Sequence, residues 1–191
     1  MAGITFGTTG DYLRFAAAPP VTAPPFTWLV AAVASSLAAL GTIATIAQAS
    51  ATSQGFRLEM NASGNLRTLT AASAASSATT TNAATVDVPF TAIGRYTSDT
   101  DRYSILNGDT VNAATNSVSR IPSGIDRLSF GKNDNSSDNQ PFAGTIFYSA
   151  LWGAALNAAE IAFLARGGWP TLVRPASLVA FWPDFRSLSG I

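Results

Sequence analysis

The stretch FTWLVAAVASSLAALGTIATIAQAS, residues 26–50, sits inside a run without charge that extends from Phe15 to Phe56. Such a run has room for a bilayer crossing, which needs about 20 apolar residues. Its texture points elsewhere. FTWLVAAV (26–33) follows Pro24-Pro25 and is rich in aromatic and β-branched residues, the composition of a buried strand. SSLAALG (35–41) is small and closes on glycine, as a loop does. TIATIAQ (42–48) then returns to Thr and Ile, two strong strand formers. A membrane helix would carry more Leu, Ile and Val and flanking Lys/Arg anchors. The nearest cations are Arg14 and Arg57. Two adjacent sandwich strands are expected, and no membrane partner.

Working outward, the same alternation recurs. ITFGTTGDYLRF (4–15) reads as a hairpin with Gly/Thr turn chemistry, and GFRLEMNASGNLRTLT (55–70) as a second, turning at Asn61–Asn65. AASAASSATTTNAAT (71–85) is low in complexity and reads either as a flexible loop or as a flat strand. VDVPFTAIGRYTSD (86–99) is a strand. DRYSILNGDTVNAAT (101–115) is a hairpin with an Asn107-Gly108 turn of type I′ character. Residues 126–152 give two strands about a polar loop. LNAAEIAFLARGG (156–168) is a helix: Asn157 caps it, Glu160 completes a capping box and Gly167 stops it. SLVAFWPDF (177–185) is a last strand. Many short strands and one late helix make the chain all-β, an antiparallel two-sheet sandwich with one short C-terminal α-helix.

Composition removes several functions. Lys+Arg and Asp+Glu number 11 each, and only Lys132 among the cations is a lysine. A neutral chain with scattered arginines lacks the electrostatic footprint for nucleic acid. Charged residues are 12% of the chain, against about 25% in ordinary soluble domains. A surface built from Ser, Thr, Asn and Ala suits a homo-oligomer. Neither Cys nor His occurs, so disulfides, thiolate or imidazole metal sites and Ser–His–Asp chemistry are excluded. The N-terminus shows no basic and apolar signal regions, so use without standard secretion is expected.

The segments, in their order, resemble the laminin-G-like, concanavalin-A-like jelly roll over about residues 4–165. The resemblance is carried by TFGTTGDYL (5–13), FTWLVAAV (26–33), YSILNGDTV (103–111), LSFGKNDNSSDNQPFAGTI (128–146) and AALNAAEI (154–161). Two features depart from it. VPFTAIGRY has Phe90-Thr91 where the family carries a Trp–Thr pair, and the family's opening strand has its counterpart at the C-terminus, in SLVAFWPDF. The last segment is therefore expected to take the edge position of the first, as in a circular permutation. The expected division is a sandwich over 1–165 and a C-terminal arm and last strand over 166–191, packed on the same domain.

Some relatives of this fold hydrolyse polysaccharides with two or three carboxylates on one strand. The only glutamates here are Glu59 and Glu160, without an E-x-D-x-E pattern, and a glycosidase needs a carboxyl pair about 5–10 Å apart. A non-enzymatic role is expected. Family members often hold Ca2+ at a loop rim. Asp134, Asn135 and Asp138 in NDNSSDN (133–139) are the candidate ligands, set against a solvated loop in which Asn, Asp and Ser make their own turns. No other cofactor is expected. Of the four tryptophans, Trp28, Trp152 and Trp182 fall in core-like segments. Trp169 and Pro170, with Arg174 beyond them, lie in an arm suited to docking on a partner.

Two function classes follow. The first is a virion structural protein: a bacteriophage capsid decoration or cement subunit, or a tail-associated one, assembled in the host cytoplasm with a major capsid or tail protein as partner. The charge-poor surface favours it, and the tail ARGGWPTLVRPASLVAFWPDF resembles the ends of laminin-G-like proteins of phage structural regions. The second is a carbohydrate-binding, lectin-like module, with or without calcium, whose partner is a glycan.

Overall fold

In the computed structural model, which describes residues 3–7, 11–15, 18–110, 113–135 and 140–184, Phe26–Ala34 is a single strand, β3. Its alternate residues serve two cores. Phe26, Trp28, Val30, Ala32 and Ala34 point between the sheets, while Leu29 and Ala31 join a second cluster on the outer face. Burial on both faces is why this strand reads as a continuous apolar run.

The remaining strands are β1 (Ile4–Phe6), β2 (Leu13–Phe15), β4 (Gly41–Ala47), β5 (Gln54–Met60), β6 (Asn65–Ala72), β7 (Ala74–Ala83), β8 (Phe90–Tyr96), β9 (Arg102–Leu106), β10 (Ala114–Asn116), β11 (Arg127–Phe130), β12 (Gly144–Trp152) and β13 (Leu178–Trp182). Among the described residues they form two antiparallel sheets. The seven-stranded sheet runs β1-β12-β3-β8-β9-β10, with β13 also on β12, and the six-stranded sheet runs β2-β11-β4-β5-β6-β7. This is the expected sandwich.

Two connections differ from the sequence reading, and the open choice for residues 71–85 falls to the strand. The segment 4–15 is not a hairpin: β1 pairs with β12 in one sheet and β2 with β11 in the other. Short strands here find the edges of two sheets in place of each other. β3 and β4 are likewise neighbours in the chain but not in a sheet, since β4 pairs with β5 and β11. The low-complexity stretch becomes the ten-residue strand β7 on β6. Its Ala, Ser and Thr side chains suit an edge, with Ala78 filling the interior.

The sheets are joined by rings and by hydrogen bonds. Phe26 stacks on Tyr96 at 4.3 Å, and Phe56 meets Phe26 edge-on at 5.0 Å. The Tyr96 hydroxyl crosses the core to donate to the Arg57 and Leu69 carbonyls at 3.1 and 3.2 Å, and burial raises its pKa strongly. Helix α1 (Ala158–Ala165) and the arm cover the outer face of the seven-stranded sheet. Its Ile161 and Leu164 pack with Leu29, Ile93 and Trp152. The capping box forms as expected, with Asn157 and Glu160 reciprocally bonded. β13 takes an edge beside β1: β1 holds residues 144–146 of β12 and β13 holds 149–152.

Candidate functional site

The helix covers one sheet, which leaves the outer face of the six-stranded sheet for side chains with other tasks. Alternation puts Arg14, Ser129, Thr45, Arg57 and Leu69 side by side across five strands. Arg127 follows two residues from Ser129, on the same face. Sequence such as Leu13-Arg14-Phe15 and Arg127-Leu128-Ser129-Phe130 carries this signal, because its apolar members Leu128 and Phe130 fill the core.

The segment after β11 supplies the counter-charge. Asp134 is 3% exposed, and its carboxylate accepts from Arg14 Nε and Nη2 at 2.6 and 2.7 Å and from Arg127 Nη1 at 3.1 Å. Burial pushes the Asp134 carboxyl up, but the Arg14 and Arg127 guanidinium groups outweigh it and hold it below its ordinary value. Asn135 Nδ2 donates to the Thr52 carbonyl at 2.6 Å. At the rim the Tyr12 ring carries Lys132 Nζ at 4.6 Å and the Arg14 guanidinium at 5.2 Å. Two arginines thus hold one buried carboxylate, and Arg14 and Lys132 lie over one aromatic ring.

Beside them lies Glu59, which faces outward on β5 as the hairpin pattern requires yet is 1% exposed. Arg57 and Arg67 stand at 3.5 and 3.6 Å from it. Neither carboxylate oxygen has a hydrogen bond, nor do Ser129 Oγ and Asn133 Oδ1. Burial raises the Glu59 carboxyl, and the two arginines offset that only in part. Unpaired buried polar atoms are rare and costly, so their concentration around this face marks it as more than packing.

The calcium candidates are therefore split. Asp134 and Asn135 are close, but both are already bonded within the protein, and a cation at Asp134 would have to displace Arg14 or Arg127. Asp138 lies outside the described residues. Among the described residues no group of three or more acidic side chains gathers. The docking candidates lie on the other side. Trp169 is 47% exposed and packs edge-on to Phe181 at 5.3 Å. Pro170 is buried, and Arg174 pairs with Glu160, so the arm is bound to its own domain. No helix among the described residues is long and apolar enough to cross a membrane.

A family model described as the concanavalin A-like lectin/glucanases superfamily matches residues 6–162. The chain belongs to that superfamily. Solved structures share the concanavalin A-like fold at low identity. The IT-sialidase CBM40 of Ruminococcus gnavus bound to α2,3-sialyllactose aligns over 85% of this chain and 95% of its own, with 14% identity and a TM-score of 0.68. A native heptameric SAP-like pentraxin from Limulus polyphemus aligns over 84% and 80%, with 16% identity and a TM-score of 0.65. The NanB sialidase of Streptococcus pneumoniae, as its K499G mutant, aligns over 78% of this chain and 27% of that one, with 14% identity and a TM-score of 0.60. Among curated proteins none matches by sequence. Within this concanavalin A-like frame, Tyr12, Arg14 and Arg127 are the site residues that sequence reading left out. Alternation shows that the two arginines face outward, but their convergence on Asp134 links residues 120 positions apart.

Proposed function

We propose that this chain is a non-catalytic carbohydrate-binding module that takes an acidic glycan on the outer face of its six-stranded sheet. One observation carries the reading: Arg14 and Arg127 converge on the buried carboxylate of Asp134, and the Tyr12 ring beside them carries Arg14 and Lys132. Two guanidinium groups meet at one carboxylate, and Arg14, whose side chain is 41% exposed, is within reach of a sugar carboxylate from outside. Guanidinium forks held by Asp134 are preorganised for such a partner, and a tyrosine ring offers a platform for the apolar face of a pyranose. The sialyllactose bound in the R. gnavus module is of the same class.

Binding without chemistry suits the two glutamates. Glu59 is shut between arginines, and Glu160 is spent on the helix cap and on Arg174. The virion-subunit reading rests on composition and on the resemblance of the C-terminal tail, and neither the fold nor the matched structures add to it. The test is a glycan array probed with wild type and Arg14→Ala, with and without a calcium chelator. Retention on sialylated or uronate-bearing glycans, weakened at least tenfold in the variant and indifferent to chelation, is expected. An array with no hits would overturn the proposal.

A further inference from the structure

On the opposite side of the molecule, where α1 ends over the seven-stranded sheet, a cleft of about 390 Å3 opens between Pro89, Phe90, Phe147, Tyr148 and the helix end at Ala165 and Gly167. Its volume lies toward the lower end of the range for small-molecule sites, about 300–1,000 Å3. Its floor is fixed, because Phe90 and Tyr148 are 4% and 6% exposed. One wall is the Asn107-Gly108 turn, which lies so close to the helix that a Cβ on Gly108 would sit 2.3 Å from Ala165 Cβ.

The chemistry of the lining is specific. Among the described residues no Asp, Glu, Lys or Arg lines it, so a charged ligand would be desolvated there without a partner. Phe147 and Tyr148 supply its aromatic lining, while the Phe90 ring turns into the core against Phe142. The polar group at the mouth is Asn107, whose Oδ1 accepts from the Thr91 backbone N–H at 2.9 Å. That bond fixes the amide and leaves its Nδ2 as the donor. Thr91 and Tyr148 are the other lining residues with hydroxyl groups, and Thr91 Oγ1 is buried without a hydrogen-bond partner. Beyond Tyr148 the exposed Trp169 ring stands 6.4 Å away.

We infer that this cleft is a second ligand site, for an uncharged pyranose bearing an acetamido group. The methyl and the apolar ring face match Phe147 and Tyr148, and the acetamido carbonyl accepts from Asn107 Nδ2. The ligand class rests on the carbohydrate-binding reading, whereas the location rests on the cleft alone. The two faces would let one chain hold an acidic and a neutral part of the same glycan.

The experiment is a titration of the 15N-labelled chain with N-acetylglucosamine, followed by NMR, with 3′-sialyllactose added to a parallel sample. Saturable shifts at the Asn107 side-chain amide and the Gly167 backbone amide are expected. They should weaken severalfold in Tyr148→Phe and at least tenfold in Phe147→Ala, both variants still binding 3′-sialyllactose. Glucose, lacking the acetamido group, should bind severalfold more weakly than N-acetylglucosamine. Absence of saturable shifts at Asn107 and Gly167, or shifts untouched by either variant, would overturn the cleft proposal whatever sialyllactose does. Sialyllactose failing while N-acetylglucosamine still saturates the cleft would support this site and overturn the acidic-glycan reading alone.

Discussion

At the residue scale the decisive group is Asp134. Sequence reading offered it as a candidate calcium ligand set against a solvated loop, and its residue type and its Asn-rich neighbours gave no sign of the two arginines that hold it. Those bonds determine its pH behaviour. The carboxyl's pKa is lowered on folding, so its stabilising contribution is present above the ordinary carboxylate value and is lost as pH falls through the folded value. Asp134→Asn should therefore lower stability at pH 7 by about 1–2 kcal/mol, the modest end for charge-assisted bonds because Arg14 is part-exposed. The gap between variant and wild type should close as pH falls below about 4. Thermal melts of both chains from pH 7 to pH 3 check this. A gap that stays constant over that range would mean the ion pairs contribute nothing.

At the element scale, most strands were legible because apolar side chains alternate or run continuously, and what failed was pairing. Periodicity says that Ile4–Phe6 and Leu13–Phe15 are extended, but not that they belong to different sheets. The Asn107-Gly108 turn was legible as chemistry, and both residues have positive φ, 55° and 67°. Its contact with the helix was not. Gly108→Ala combines a strained φ with the clash at Ala165, and should cost at least about 1–3 kcal/mol, read as a lowered urea midpoint. An unchanged midpoint would show that the turn does not pack on α1. The arm offers a second test. The Trp152 indole N–H donates to the Val173 carbonyl at 2.8 Å, and β13 closes the edge of β12. Ending the chain at Gly167 leaves that indole unpaired and the outer core uncovered, so the melting temperature should fall by about 10 °C or more. A truncated chain that melts within about 2 °C of the full one would make the arm an appendage.

At the scale of the whole molecule, the fold was readable because composition, turn chemistry and the capped helix agree on one architecture. The proposed binding face was not readable. It is assembled from Tyr12 and Arg14 near one end, Arg57 and Glu59 in the middle and Arg127–Asp134 late in the chain. Only the sheet register brings them together. This assembled face is the one proposed to hold an acidic glycan. The most direct test is a calorimetric titration of the full chain with 3′-sialyllactose at low and high salt, repeated with Arg14→Ala. Saturable binding that weakens with salt and falls at least tenfold in Arg14→Ala is the expected result. Absence of heat at millimolar sugar, or binding that ignores both the salt and the missing arginine, would contradict it.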